Sequence, residues 1–505
     1  MNPSSSSDPR SGQSRSDSSA SGRRHSREGR SGSRRPLETA TFAHIAGLLV
    51  LTTWFFGGGS DAARWWISLW GSLGIAITLT AWVTQRRAND GSLRPLRWAW
   101  PVAAFNVLVL ASCLNPSFSE KFLAGESLLA HTGAASSKLP STVHARTSLQ
   151  HLWLFDALYF SALNLVLVVR QRRILRGLLL FAAANGVVLA VFGTLQKLMS
   201  DGLFFGAVKS PNPRFFASFV YANHWAALTV LLVAGAGGLV FHYSKRDDGT
   251  PASRARILWG VASLLLIGIT PLIAGSRAGT LLMLALFVTY GVRTLWRIWN
   301  KRRAMGELAF LPLAGLLLCA VVGVGSSVWL GRSALRERWI DTQDQWRAGP
   351  VSGRAALYRD TWRLAKDEPV FGWGLGNYGK AFMLIRPRPL ETNRQYERSY
   401  MDAHSDWLQA VAEVGFVGTL LLGLSGALPL LSLRKRQLQS TVSSYALFGC
   451  GLVLVYATIE FPFANPAVVF AWWMCFFCAV QHARLQAPPP PKPSRSSSSI
   501  RPATA

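Results

Sequence analysis

The sequence predicts an all-α polytopic membrane protein with about twelve transmembrane helices and a large outer loop containing surface helices. Three observations carry this reading. Half of the 505 residues are hydrophobic and only 15% are charged. Apolar runs long enough to cross roughly 30 Å of hydrocarbon recur along the chain. The basic residues between those runs fall in short clusters at alternate connections, as they do where charge sets helix orientation. A formal charge of +28 would suit nucleic acid if the cations formed one folded face interleaved with exposed aromatics. Here they lie between apolar runs, in the N-terminal tail or in one long loop, so the expected partners are membrane lipids and not nucleic acid.

The chain divides into three parts. Residues 1–37 are Ser, Gly and Arg with almost no large apolar side chain, and read as a disordered cytoplasmic tail. Their Arg-rich stretch is too long for a secretory signal, and no small-residue cleavage site follows the first apolar segment. Residues 38–484 form the transmembrane domain, including the outer loop 331–403, and residues 485–505, with their PPPPKP run, read as a second disordered cytoplasmic tail. The spans fall near 39–57, 62–84, 96–113, 152–169, 177–197, 221–243, 257–274, 278–296, 308–330, 404–432, 443–461 and 466–483. With the Arg-rich tail inside, the inside connections become QRRANDGSLRPLR, RQRRILR, SKRDDGTPASRAR, RTLWRIWNKRR and LRKRQ, each short and basic. Loop 331–403 departs from the charge rule by being rich in arginine, although long loops are translocated largely regardless of charge. The five cysteines lie in or at the ends of apolar runs with no histidine set beside them, so they read as small hydrophobes and no metal site is expected.

Three motifs on the outer side have residues suited to chemistry. Gly275-Ser276-Arg277-Ala278-Gly279 places a cation in a very short turn between two apolar helices. A guanidinium there keeps its charge and offers a planar fork to phosphate oxygens, or it snorkels to lipid headgroups. Ser352-Gly353-Arg354 opens an amphipathic stretch in which Leu357, Trp362, Leu364 and Ala365 make one apolar side, and Asp367, Glu368 and Pro369 end it. The glycine-rich FGWGLGNYG that follows reads as a turn whose backbone amides approach a ligand. Without a strand and βαβ unit around it, the GxG pattern does not indicate a dinucleotide site.

The third motif is Asp402-Ala403-His404-Ser405-Asp406-Trp407-Leu408-Gln409, at the outer end of the tenth span. His404, flanked by Asp402 and Asp406, has the makings of a general base held in one tautomer, or of an interfacial histidine packed beside Trp407. Glu413, deeper in the same span, is an intramembrane carboxylate and so a functional candidate, or a helix-to-helix hydrogen bond. Arg214, with Asn212, Asn223 and His224, and Glu460 in EFPFANP are polar groups at outer helix boundaries, suited to a headgroup, a sugar or a cap.

Together, GSRAG on a short turn, SGRxxLYxxxxxLxxxxPxxGxGxxxY in a large loop and AHSDWLQxxAExGxxG after it resemble the O-antigen ligase and polymerase family, over about residues 210–470. The resemblance implies a GT-C-like fold in the bacterial inner membrane, with a periplasmic loop over a cavity that receives an undecaprenyl-diphosphate-linked glycan. It implies inverting, metal-independent glycosyl transfer without a cofactor. Arg277 and Arg354 match the family arginines that hold the diphosphate, and His404 its loop histidine, thought to activate the acceptor hydroxyl. Arg214, Asp402, Asp406 and Glu413 stand as supporting candidates. The family often has Asn after the histidine where this chain has Ser405. Physics supports the carry-over, because two guanidiniums stabilise charge building on a departing diphosphate. The acceptor expected first is lipid A core, as in a ligase. A second glycan, as in a polymerase, or a protein hydroxyl, as in an oligosaccharyltransferase, are the alternatives within the family. A flippase or exporter of lipid-linked saccharides is the non-enzyme reading, and it expects internal repeats that the sequence lacks.

Overall fold

The computed structural model describes residues 35–486 except 89–92, 124–125, 133–138, 200–201, 213, 246–248, 306–353 and 386–400. The expected ninth span, most of loop 331–403 and both tails lie outside the described residues.

Helices dominate what is described. In chain order they are α1 (Arg35–Trp54), α2 (Asp61–Ala88), α3 (Trp100–Leu114), α4 (Ala145–Leu167), α5 (Arg172–Met199), α6 (Ala222–Ser244), α7 (Pro251–Gly268), α8 (Thr270–Ile273) and α9 (Arg277–Met305). Past the long undescribed stretch come α10 (Arg354–Asp367), α11 (Tyr378–Ile385), α12 (Asp406–Leu431), α13 (Thr441–Tyr456) and α14 (Pro466–Arg484). Eight helices among the described residues are long and apolar enough to cross a membrane. The chain is a mostly helical, multi-pass membrane protein. Two connections depart from an all-helical reading: Phe118–Leu123 (β1) and Glu126–His131 (β2) pair as an antiparallel hairpin between α3 and α4, and Leu203–Phe204 (β3) pairs antiparallel with Val208–Lys209 (β4) between α5 and α6.

α6 and α14 form the buried centre, and their composition explains it. A helix that is apolar all round belongs inside a bundle, and small residues let neighbours approach closely. In α6, Gly237 leaves room for Tyr290 of α9, whose hydroxyl donates to the Val233 carbonyl at 2.9 Å. In α14, Trp472 Nε1 donates to the Cys450 carbonyl of α13 at 3.0 Å. Three of the cysteines, Cys450, Cys475 and Cys478, are buried in this core as free thiols.

A second, smaller core lies at one end of the bundle, where Leu357, Leu364 and Ala365 of α10 meet Tyr378, Ala381 and Phe382 of α11, Val143, and Ala412 of α12. α10 therefore buries the apolar side expected for it with one exception: Trp362 is exposed and is covered by Lys366, with Nζ 5.9 Å from the ring centre. Asp360 and Thr361 take the inward places, and Thr361 Oγ1 meets the Tyr378 hydroxyl at 2.7 Å.

This outer unit is fastened to the bundle at a break in α12. Gly415 adopts φ 63° and ψ −174°, a conformation that only glycine takes easily. The break frees backbone groups that a regular helix would pair internally, and the segment after α10 bonds them. Trp373 N donates to the Ala412 carbonyl at 2.9 Å and Gly374 N to the Glu413 carbonyl at 2.7 Å; Phe416 N donates to the Pro369 carbonyl at 2.9 Å. Irregular backbone next to hydrocarbon is tolerated only when its polar groups are met in this way.

Candidate active site

The site forms where three connections converge: the start of α10, the residues leading into α12, and the turn between α13 and α14. Arg354 begins α10, and Tyr358, four residues later, shares its face. The Arg354 guanidinium donates from Nη1 to the Ile459 carbonyl at 2.9 Å and from Nη2 to Glu460 Oε1 at 2.5 Å. The Tyr358 hydroxyl donates to the His404 carbonyl at 2.9 Å. α10 thus ties together the two segments that bear His404 and Glu460.

Glu460 is the centre of this arrangement. Its side chain is buried while that of Arg354 is half exposed. One carboxylate oxygen takes the salt bridge, and the other, Oε2, stands 3.7 Å from Nδ1 of His404. That separation exceeds a hydrogen bond, and both atoms are buried without a hydrogen-bond partner among the described residues. Burial pushes the Glu460 pKa up, but His404 and Arg354 together outweigh it and hold the carboxyl below its usual value. Burial also opposes the charge on Arg354, and Glu460 more than compensates.

His404 is held in an unusual backbone conformation. Its φ of 54° lies in the left-handed region, where a non-glycine residue costs energy and which recurs at functional sites. The ring meets the edge of Phe461, centroids 4.5 Å apart and planes at 85°. The Phe461 carbonyl in turn contacts Nε2 of buried His224 at 3.2 Å. Asn223, beside His224, accepts from Ser276 Oγ at 2.8 Å, and Ser276 Oγ also lies 3.4 Å from the Tyr456 hydroxyl. Through these contacts the short turn before Arg277 abuts the C-terminal end of α13, four positions before Glu460. Arg277 itself is exposed at the first turn of α9.

The remaining candidates have positions of their own. The carboxylate that faces His404 is Glu460, and not either flanking aspartate. Asp406 Oδ2 accepts from Phe463 N at 2.9 Å, which docks the α13–α14 connection on α12. Asp402 is partly buried; burial raises its pKa, opposed by the charges of His404 and Arg64 and by Gln409. Ser405 caps α12, with Oγ accepting from Leu408 N at 3.5 Å. That gives the serine at this position a structural task.

Glu413 is used as an anchor. Its carboxylate accepts from Gly376 N at 2.7 Å, Tyr378 N at 3.3 Å and Gln409 Nε2 at 3.0 Å. The glycine-rich turn expected to offer its amides to a ligand spends them inside the protein instead: Trp373, Gly374, Gly376 and Tyr378 all donate to α12 residues. Arg214 is exposed, and its backbone carbonyl accepts from Ala222 N at 3.2 Å at the start of α6.

Two contributors were not singled out from the sequence. Tyr358 is legible in hindsight from its i,i+4 spacing to Arg354. Arg64, in the first turn of α2, donates to the Gly58 carbonyl at 3.3 Å and acts electrostatically on Asp402. Its signal is a cation at the first turn of the second span, 62–84.

Residues 262–423 match the family model described as O-antigen ligase. Over that stretch the chain is similar to the O-antigen ligase family. The matched stretch includes Arg277, Arg354, His404 and Glu413, while Glu460 lies beyond it. The likeness supports glycan transfer of the O-antigen ligase or polymerase type in general. No curated protein is a significant match to the chain.

Proposed function

We propose that the protein transfers an undecaprenyl-diphosphate-linked glycan to an acceptor hydroxyl at the periplasmic face of the inner membrane, with lipid A core as the acceptor. The observation that carries this reading is the Arg354–Glu460–His404 cluster, a fixed cation and an imidazole joined through one buried carboxylate, with Arg354 and His404 inside the stretch that matches the O-antigen ligase model. In the reaction, His404 takes the proton of the acceptor hydroxyl, whose oxygen forms a bond to the anomeric carbon with inversion. The bond from that carbon to the phosphate oxygen breaks, and the diphosphate departs with the electron pair. Glu460 orients the imidazole through Nδ1 and stabilises the imidazolium, in the manner of the carboxylate of a catalytic triad. Contacts of this kind are often long before substrate binds and tighten afterwards.

Arg354 and Arg277 balance the charge of the leaving diphosphate. An arginine has five N–H donors, and the bonds to Ile459 and Glu460 engage one on each terminal nitrogen of Arg354. The alternation of basic connections supports about twelve spans with both termini cytoplasmic. The same cluster suits a polymerase, whose acceptor is a second lipid-linked glycan, and a protein oligosaccharyltransferase. The test is reconstitution of the purified chain in liposomes with an undecaprenyl-diphosphate oligosaccharide and, separately, lipid A core, a second lipid-linked glycan, and a serine-containing peptide. Glycosylated lipid A core is the expected product. Product on only the second glycan or the peptide would reassign the acceptor, and no product with any of them would remove the reading.

A further inference from the structure

The end of the bundle away from His404 holds a second group of cations. α9 runs unbroken from Arg277 to Met305, so Arg293 and Arg297 lie about 24 Å and about 30 Å along its axis from Arg277 at 1.5 Å per residue. That is close to one hydrocarbon thickness. α6 runs the opposite way, from Asn223 beside the Arg277 turn to Lys245 at its C-terminal cap. Arg293 and Arg297 meet there over an aromatic floor, with Lys245 near enough to feel both charges. The Arg293 guanidinium stands 5.8 Å from the centre of the Phe241 ring and 5.6 Å from that of Tyr445, and the Arg297 guanidinium 5.6 Å from Phe241. Phe241 and Tyr445 are themselves stacked, centroids 5.2 Å apart.

Two guanidiniums therefore share one ring, with an ammonium beside them. The Lys245 pKa is lowered by partial desolvation and then by the charges of Arg297 and Arg293. Among the described residues, no carboxylate pairs with any of the three, and Arg293 Nε is buried without a hydrogen-bond partner. The charge rule accounts for cations at this end of the bundle, but cation–π contacts of about 0.5–1 kcal/mol at exposed sites do not offset the repulsion of like charges gathered over one ring. An anion completes the set. Trp259, Trp296 and Trp299, exposed by 75%, 64% and 51%, surround the same end of the bundle and mark the depth of a headgroup layer. With no acid among the described residues here to meet the ammonium or choline of a zwitterionic lipid, the arrangement favours a lipid with net negative charge.

We propose that Arg293, Arg297 and Lys245 form a binding site for the phosphate headgroup of an anionic phospholipid, in the leaflet opposite the His404 site. The proposal is independent of the transfer reaction. It is tested on the full chain purified in detergent, by thermal unfolding and by native mass spectrometry of retained lipid, with added phosphatidylglycerol, phosphatidylcholine or inorganic phosphate. Phosphatidylglycerol should raise the melting temperature and remain bound, and phosphatidylcholine and inorganic phosphate should do neither. An R293Q/R297Q variant should bind phosphatidylglycerol at least tenfold more weakly, and an R434Q/K435Q variant should bind it as the wild type does. Equal retention by R293Q/R297Q, equal loss in R434Q/K435Q, or equal stabilisation of the wild type by phosphatidylcholine would overturn the site. A full shift from inorganic phosphate alone would overturn its assignment to a lipid. If the double variant does not fold, R297Q and the lipid comparison on the wild type decide in the same way.

Discussion

His404 and Glu460 face each other at 3.7 Å, Nδ1 to Oε2, with neither atom hydrogen-bonded among the described residues. Glu460 Oε1 is meanwhile committed to Arg354 at 2.5 Å. One buried carboxylate therefore sets both the orientation of the imidazole and the position of the guanidinium.

Replacing that carboxylate separates its two tasks from simple packing. Glu460→Gln keeps the shape but removes the charge that holds Arg354 and stabilises the imidazolium. Transfer at saturating donor should fall about 10²-fold or more, by analogy with amide replacements of a triad carboxylate. Acid stability should change with it. The Glu460 pKa is held below its ordinary value of 4.5, so its contribution is complete above that value and is lost as pH falls through the lower, folded-state pKa. The wild type should lose melting temperature on acidification below about pH 4.5 more steeply than Glu460→Gln. Wild-type turnover in Glu460→Gln, or parallel acid profiles, would show that the carboxylate only fills space.

Arg354 tests whether fork geometry or charge is required. A lysine can keep an ion pair with Glu460 but cannot also reach the Ile459 carbonyl and the diphosphate in one plane. Arg354→Lys should therefore impair transfer nearly as much as Arg354→Ala, while restoring part of any loss in melting temperature. A lysine variant with most of the wild-type turnover, at equal membrane levels, would reduce Arg354 to a point charge.

Gly415 tests the joint between the outer unit and the bundle. A Cβ there would run into the backbone of Val370 and Phe371, at a φ of 63° that strains other residues. Gly415→Ala should cost on the order of 3–5 kcal/mol, seen as lost monodisperse protein after detergent extraction. Glu413→Gln keeps one acceptor oxygen and should cost about 1–3 kcal/mol. Full yield and an unchanged melting temperature in Gly415→Ala would mean that the break in α12 is not needed to dock residues 369–376.

These contrasts mark what local sequence conveys. The apolar runs reveal α6, α9, α12 and α14 because period and length are properties of neighbouring residues. Arg354 and His404 stood out for similar reasons, one opening an amphipathic helix and the other entering a span. Glu460 received little weight because its partners come from α10 and from the residues before α12, far away in sequence. The task of the glycine-rich turn is hidden for the same cause: the Gly415 break exposes the carbonyls that Trp373 and Gly374 meet, and the Glu413 carboxylate takes the amides of Gly376 and Tyr378. The β1–β2 hairpin lies in the connection between α3 and α4, where short strands have no long apolar period to announce them.

The backbone of His404 supplies the control that separates a structural imidazole from a catalytic one. At φ 54° any side chain is under strain that glycine relieves. His404→Ala and His404→Gly both remove the imidazole, but the glycine variant should be the more stable of the two, by about 0.5–1 kcal/mol. If the ring serves structure, through its edge contact with Phe461, activity should follow stability and the glycine variant should recover. If the ring is the general base, both should lose about 10²–10⁴ in turnover at saturating donor, whatever their melting temperatures. Donor affinity, which the proposed mechanism assigns to the arginines, should be little changed in either. Single-turnover transfer, measured together with thermal unfolding, separates the two cases. A stable His404→Gly variant that transfers glycan at a near wild-type rate would remove His404 from the chemistry and leave proton removal to the substrate or to solvent.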